Sequence, residues 1–469
     1  MKRWNNRLTK AHIEDFLTWD IVTLAEHIQK RKISPVEVTK SILERIEAVD
    51  KELNAYVTVT KDLALKQAKE AEEEIGKGQY KGPLHGVPIA IKDNIYTKDI
   101  KTTMGSGVFA DHYPTYDATV VKKLAEAGAI CLGKLNMHEI AYGTTGDRSY
   151  FGPTKNGLDY SKIPGGSSSG SAAAIVEHLC YAALGTDTGG SIRIPAAFQG
   201  LVGMKPTFGR VSNHGVFPLA FSLDHVGPLT KTVYDNALLL KILAGDDAKD
   251  PYAKAVDVPN YTAKLQEPLE QLTIGIPSNR FFTELEETVE KEFQRAIEKL
   301  KALGHTIKEI ELPDPDAAIN AFRTILRNEA FYIHHERLEK FPDKWDEEVK
   351  ERLLTAKGEL ALNLVEAQQI RQQTLSDYDK VYEIIDVLVM PTVPIMPFDI
   401  GKRDITFKGE VVHSSLLLNK FTGIFNMTGF PGLSIPTIKD FKGLPVGLQF
   451  VGEPFTEEKL YQLAYQYEQ

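Results

Sequence analysis

The chain has 469 residues, of which 42% are apolar and 25% charged, and it carries a formal net charge of -9. These values exclude a disordered or fibrous chain, and so modest an acidic balance argues against a polyanion-binding surface, which needs clustered lysine and arginine. No apolar run is long enough to span a bilayer, residues 1–20 lack the apolar stretch of a secretory leader, and Cys131 and Cys180 lie in apolar surroundings suited to buried free thiols in a reducing, cytoplasmic compartment.

In chain order, Ser34-Pro35-Val36-Glu37 followed by spaced Val38, Ile42, Leu43 and Ile46 predicts a capped amphipathic helix over 33–49. A charged helix follows over 62–75. Beyond Gly82-Pro83 the pattern turns β-rich, with strands over 87–91 and 129–132 and a helix over 118–127 between them. Residues 164–209 are dense in Gly, Ser, Ala and Thr, yet apolar segments at 172–176 and 181–184 interrupt them, which a flexible linker would lack. The remainder alternates: a helix over 233–244, a strand over 272–276, helices across 285–303 and 316–338, a strand over 387–391, and two closing strands within 432–451.

This alternation predicts an α/β fold rather than a bundle. One continuous domain over 1–469 is expected, with a mainly helical part at 1–80, a central core at 81–245, and the rest of the sheet and the pocket region at 246–469. The polar, Pro-containing stretch 246–268 is the best boundary candidate, although a long surface loop explains it equally well.

Three features carry chemistry. Lys92 ends the apolar run Val87-Pro88-Ile89-Ala90-Ile91, where it is either a strand end reaching solvent or a functional group whose amine burial would neutralise. Pro164-Gly165-Gly166-Ser167-Ser168-Ser169-Gly170-Ser171 leads into a small-residue helix and reads as a capping loop or as a built site. Within it Gly166-Ser167-Ser168-Ser169-Gly170 formally fits a nucleophile elbow on Ser168, but the polar residues before it are not the strand that motif requires. Last, Asp187-Thr188-Gly189-Gly190-Ser191-Ile192-Arg193 follows a strand and breaks at a Gly-Gly turn, with Pro195 placed to start a short helix and Gly200 to end it.

A serine on that turn is preceded by backbone N–H groups able to hold a tetrahedral oxyanion. Its base is open at this point among lysine, histidine and neither. The twelve histidines, among them His138, His178, His214, His225 and His334-His335, stand in no catalytic sequence context, and no zinc-binding H-E-x-x-H helix occurs.

Taken together, the embedded lysine, the Gly/Ser loop and the Asp-x-Gly-Gly-Ser-Ile-Arg segment, at these separations, resemble the amidase signature family. The likeness runs from about Ile33 to the C-terminus. It implies a central mixed β-sheet covered by helices on both faces, and a metal-independent serine hydrolase of amides with no cofactor. It further implies Ser191 as acyl-enzyme nucleophile, Ser167 as bridging serine after a cis Gly166-Ser167 bond, and Lys92, neutral in the free enzyme, as terminal base. The backbone of Thr188, Gly189, Gly190 and Ser191 would form the oxyanion hole, and Asp187 and Arg193 would support the turn.

For the substrate, two family members compete. Arg371 falls where the glutaminase subunit of tRNA-dependent amidotransferases has an arginine for the glutamine carboxylate. Asn419, however, replaces that subunit's aspartate for the α-amine, and an uncharged group holds an ammonium less strongly. Residues 137–146, with Tyr142 as a pocket wall, also resemble the stand-alone amidases. The expectation is therefore a stand-alone hydrolase of a small or aryl amide, carbamate or urea-like compound, with no direct nucleic acid or membrane partner and a homodimer left open; the alternative is the glutaminase subunit.

Overall fold

The computed structural model describes residues 16–438 and 442–469. The expectation about a leader falls largely on residues 1–15, outside the described part. The first predicted helix runs Pro35–Leu53, and its start follows from side-chain chemistry: Ser34 accepts from the Val36 and Glu37 N–H groups while Glu37 reaches back to the Ser34 N–H. Val38, Ile42, Leu43 and Ile46 form its buried stripe, and Asn54 ends it in the left-handed region at φ 59°.

Among the described residues eleven strands form one sheet. Across it they run Tyr56–Val59, Ile130–Leu135, Pro88–Lys92, Ala182–Asp187, His225–Thr230, Val202–Lys205, Gly432–Pro436, Gly447–Val451, Val387–Pro391, Thr273–Pro277 and Thr306–Ile310. The sheet is mixed: Pro88–Lys92 pairs parallel with both its neighbours, whereas Ala182–Asp187 pairs antiparallel with His225–Thr230. Every residue of Pro88–Lys92 and of Ala182–Asp187 is buried, so both faces of the sheet are covered there. The two closing strands pair with each other in register from Gly432 opposite Val451 to Pro436 opposite Gly447, and complete the same sheet.

Most sequence-derived elements recur with small shifts at their ends. Several elements were not anticipated, among them the helices Ile21–Gln29, Glu347–Leu354, Ala361–Val381 and Glu457–Glu468, the strands Tyr56–Val59, Val202–Lys205, His225–Thr230 and Thr306–Ile310, and the hairpin Asp404–Phe407 with Glu410–His413. Ala361–Val381 buries only Ala367, Thr374 and Tyr378, too sparse a stripe to read as helical periodicity. Residues 246–268 contain no helix or strand, but they are packed down. Tyr261 and Leu265 are buried in the core, and the Arg210 guanidinium donates to the Val256 and Asp257 carbonyls. Among the described residues no helix is long and apolar enough to cross a membrane, and Cys131 and Cys180 are free thiols.

Candidate active site

Three sequence segments converge at the ends of two adjacent parallel strands. Pro88–Lys92 delivers Lys92 into the interior, where its side chain is wholly shielded from solvent, so it is not a strand end reaching water. Lys92 Nζ donates to Ser167 Oγ at 2.7 Å and to Thr186 Oγ1 at 2.8 Å. Burial lowers its pKa to about 7, although Asp187 and Asp224 pull the other way. An amine in that range exists in appreciable amount as the free base at neutral pH.

The loop before Ser167 has a cis Gly166-Ser167 bond. Gly166 admits no side chain, because a Cβ there would lie 2.6 Å from the Gly146 backbone nitrogen. Ser168, the nucleophile of the rejected elbow, is buried; its Oγ accepts from the Thr186 N–H at 3.3 Å and no strand precedes it. Its backbone N–H donates to the Ser191 carbonyl at 3.2 Å, tying the loop to the glycine turn.

That turn is held by a buried ion pair. Asp187 accepts from Arg193 Nε and Nη2, each at 3.0 Å, and from the N–H groups of Gly190 at 2.6 Å and Ile192 at 3.1 Å. Burial alone would raise the Asp187 pKa, but Arg193 and Asn426 more than offset it and hold the group well below the usual carboxylate range. Arg193 also donates to Gln449 Oε1 at 2.7 Å and Asn426 Oδ1 at 2.6 Å, so it links the turn to the closing strands and the Gly423–Met427 helix. The short helix runs Arg193–Gln199 with Gly200 as its left-handed cap, so Pro195 is its third residue rather than its first.

Asp187→Ala would strand the Arg193 charge in the interior. A loss of about 3–5 kcal/mol is expected, read as a lowered denaturation midpoint; a change below about 1 kcal/mol would show that the pair does not hold the turn.

Because the Gly190 N–H is bound to Asp187, it is not free to meet a substrate oxygen, and Gly190 itself sits at φ 122°. Among the described residues the N–H groups of Thr188, Gly189 and Ser191 have no protein acceptor. Thr188 Oγ1 donates to Asp224 Oδ1 at 2.6 Å, and burial pushes the Asp224 pKa up to about 7. Asp224 was not singled out from sequence; an acid in the middle of Ser-Leu-Asp-His-Val carries no motif.

Ser191, Thr188 and Gly189 line a cleft together with Tyr142, Gly143, Thr144, Leu219, Asn419 and the arginines 323, 327 and 352. Lys92 and Ser167 lie behind it, out of contact with solvent. Tyr142 and Asn419 line this cleft, whereas Arg371 does not: its guanidinium donates to Ser222 Oγ and O, both at 3.1 Å. Sequence reasoning missed the three lining arginines. Arg323 and Arg327, four apart on Pro315–Lys340, share a helix face and were legible only once the helix was known to border the site. Among the described residues no histidine lines this cleft, and no group of three or more His, Cys, Asp and Glu could hold a metal ion.

The fold and these loops define a hydrolase of amides. The family model described as Amidase matches residues 37–461, and the chain belongs to the amidase signature family. It is 39% identical over 471 aligned positions to the A subunit of glutamyl-tRNA(Gln) amidotransferase from Carboxydothermus hydrogenoformans, covering 95% of this chain and 96% of that one. Among solved structures, that of the A subunit of glutamyl-tRNA(Gln) amidotransferase from Thermotoga maritima superposes with a TM-score of 0.79 at 31% identity, over 96% and 94% of the two chains. An amidase crystal structure superposes at 0.87 with 33% identity, over 96% and 99%.

These relatives overturn two expectations. The stand-alone hydrolase of a small or aryl amide gives way, because near-40% identity across the whole chain outweighs one replaced pocket residue. Asn419 is also a weaker argument than it looked, since its Oδ1 can still accept from an amine. The expectation that a small-molecule amide is the only partner, with no nucleic acid, falls with it. Net charge is a bulk property of one chain and says nothing about a partner surface in an assembly.

Proposed function

We propose that this chain is the amide-hydrolysing subunit of a tRNA-dependent amidotransferase, releasing ammonia from glutamine for transfer to a tRNA-linked glutamate in the cytoplasm. The observation that carries this reading is the identity to the A subunit of that enzyme over 95% of the chain. One domain over 1–469 is proposed, working with the other subunits of the complex.

In the mechanism, Ser191 Oγ attacks the side-chain carbonyl carbon of glutamine. Its proton passes to Ser167 Oγ as the Ser167 proton passes to Lys92 Nζ, along the 2.7 Å contact. The oxyanion is held by the free N–H groups of the 188–191 turn. Collapse breaks the C–N bond, and the relay runs backwards so that the leaving nitrogen departs as ammonia. Water, deprotonated by the same relay, then cleaves the Ser191 ester to give glutamate.

Ammonia release from glutamine, measured for the chain alone and with its co-expressed partner subunits, tests this reading. Glutamine turnover rising on assembly is expected; no release in either state would sink the proposal.

A further inference from the structure

A second cleft opens where the loop 107–112 faces the end of the helix Pro315–Lys340 and the turn that follows it. Its volume is about 360 Å³, within the range of small-molecule sites, and Phe109, Asp111, His112, Arg337, Phe341 and Lys344 stand on its walls. It shares no lining residue with the cleft beside Ser191. At 1.5 Å per residue, Arg337 stands about 20 Å along the helix from Arg323. Gly107 lets the two walls meet, since a Cβ there would lie 2.9 Å from the Lys344 carbonyl oxygen and 2.8 Å from the Tyr150 ring.

Arg337 is the fixed cation of this cleft. Its guanidinium lies over the rings of Phe109 at 5.4 Å and Phe217 at 5.6 Å, and Nη1 donates to the Ile333 carbonyl at 2.6 Å. Among the described residues no carboxylate lies within ion-pair distance of Arg337 or Lys344. Asp111 is almost wholly exposed and pairs instead with Lys101 at 3.5 Å. A guanidinium has five N–H donors, so one held by its face against two rings keeps most of its edge open to an oxyanion. His112 Nε2, shielded from water, also has no partner. The aromatic groups complete the pattern. The exposed Lys340 and Lys344 ammoniums lie over the Phe341 ring at 5.2 and 5.5 Å, and Lys101 lies over Tyr113 at 5.8 Å. Tyr113 follows His112 in the chain, Tyr150 borders Gly107, and the two are 54% and 62% exposed. Rings interleaved with cations hold bases and phosphates together. A lysine on its flexible stem can turn from ring to phosphate and leave the ring face to a base.

We propose that this cleft binds a nucleotide, with its phosphate on Arg337 and Lys344 and its base stacked on Phe341. Inorganic phosphate alone would leave the rings unused, and a neutral aromatic compound would leave Arg337 without an anion. The chemistry is the same whether the nucleotide is free or belongs to a single RNA strand. The site stands apart from the Ser191 cleft and does not rest on the glutaminase reading.

The test titrates the full chain by calorimetry with adenosine monophosphate, with a single-stranded riboadenylate hexamer and with inorganic phosphate. At least one of the two nucleotide probes is expected to bind about tenfold or more tighter than phosphate, because stacking adds to the ionic contact; whichever binds tighter identifies a free nucleotide or an RNA strand as the source. Arg337→Gln is expected to weaken that binding about tenfold, Phe341→Leu about tenfold, and the exposed Lys344→Gln about threefold, with unfolding midpoints for the last two close to wild type. Neither nucleotide probe binding at millimolar concentration overturns the proposal. So does phosphate binding as tightly as both, or affinity unmoved in folded Phe341→Leu and Lys344→Gln.

Discussion

Ser191→Ala is expected to lower glutamine hydrolysis by at least about 10⁴-fold, because in the proposed relay Ser191 is the nucleophile, and removing the nucleophile of a coupled relay costs nearly as much as removing all of it. The fold should survive. Ser191 is only 4% exposed, but its side chain belongs to a turn whose framework bonds come from Asp187 and Arg193 rather than from its own hydroxyl. The measurement is covalent labelling by a serine-directed phosphonate, followed by peptide mapping, beside an unfolding curve. Wild type should carry the label on Ser191 and the variant none. Label retained in a folded Ser191→Ala protein would move the nucleophile elsewhere, with Ser167 and Ser168 the nearest hydroxyls in the sequence of the adjoining loop.

Lys92→Met is the second large effect. Methionine fills much of the buried volume without bringing an unpaired charge, so the loss reports the missing base, and a fall of about 10²–10⁴ in kcat is expected. The pH dependence supplies the sign. In the proposed relay Lys92 works as the neutral amine, and burial lowers its pKa to about 7, so its active fraction should rise with pH through that value and level off above it. Below about pH 6 the rate should drop roughly tenfold per unit. In Lys92→Met this limb should vanish from the residual rate. A limb surviving unchanged would assign the titration to another buried group, and Asp224, pushed up to about 7, would be the first to replace.

Asp187 and Asp224 act on this lysine at a distance. Both oppose the effect of burial on it, so the pKa of Lys92 is a balance between an apolar strand environment and two acids from elsewhere, Asp187 at the end of Ala182–Asp187 and Asp224 just before His225–Thr230. Asp187 is firmly ionised beside Arg193, whereas burial favours the neutral acid for Asp224. No single segment sets that balance.

Legibility divided along physical lines. Local signals read well where one segment suffices: the Ser34 capping box, the strand over 387–391 and the Gly200 cap depend on neighbours a few residues away, and each stands where the sequence put it. Ala361–Val381 and the Asp404–His413 hairpin went unread because tertiary packing, not periodicity, holds surface segments with few buried side chains. At the site, the Lys, Ser and Gly-Gly-Ser segments announced themselves by residue type in improbable settings, and family likeness ordered their roles. The substrate end did not, since Arg371 spends its donors on Ser222 while Arg323 reaches the cleft from a helix with no motif.

By itself, then, the sequence determined an α/β chain with an embedded lysine, a serine loop and a glycine turn, because buried runs, caps and left-handed glycines are written in local chemistry. Only the tertiary structure decided that Lys92 touches Ser167, that the Gly190 N–H is taken by Asp187, and that among the described residues Arg323 is the lining cation left without a counter-charge. Each of these is a contact between side chains or loops held by packing, and for Lys92 and Arg323 it joins segments 75 to 93 residues apart. Charge balance in a cleft is a sum over elements that no stretch of sequence contains.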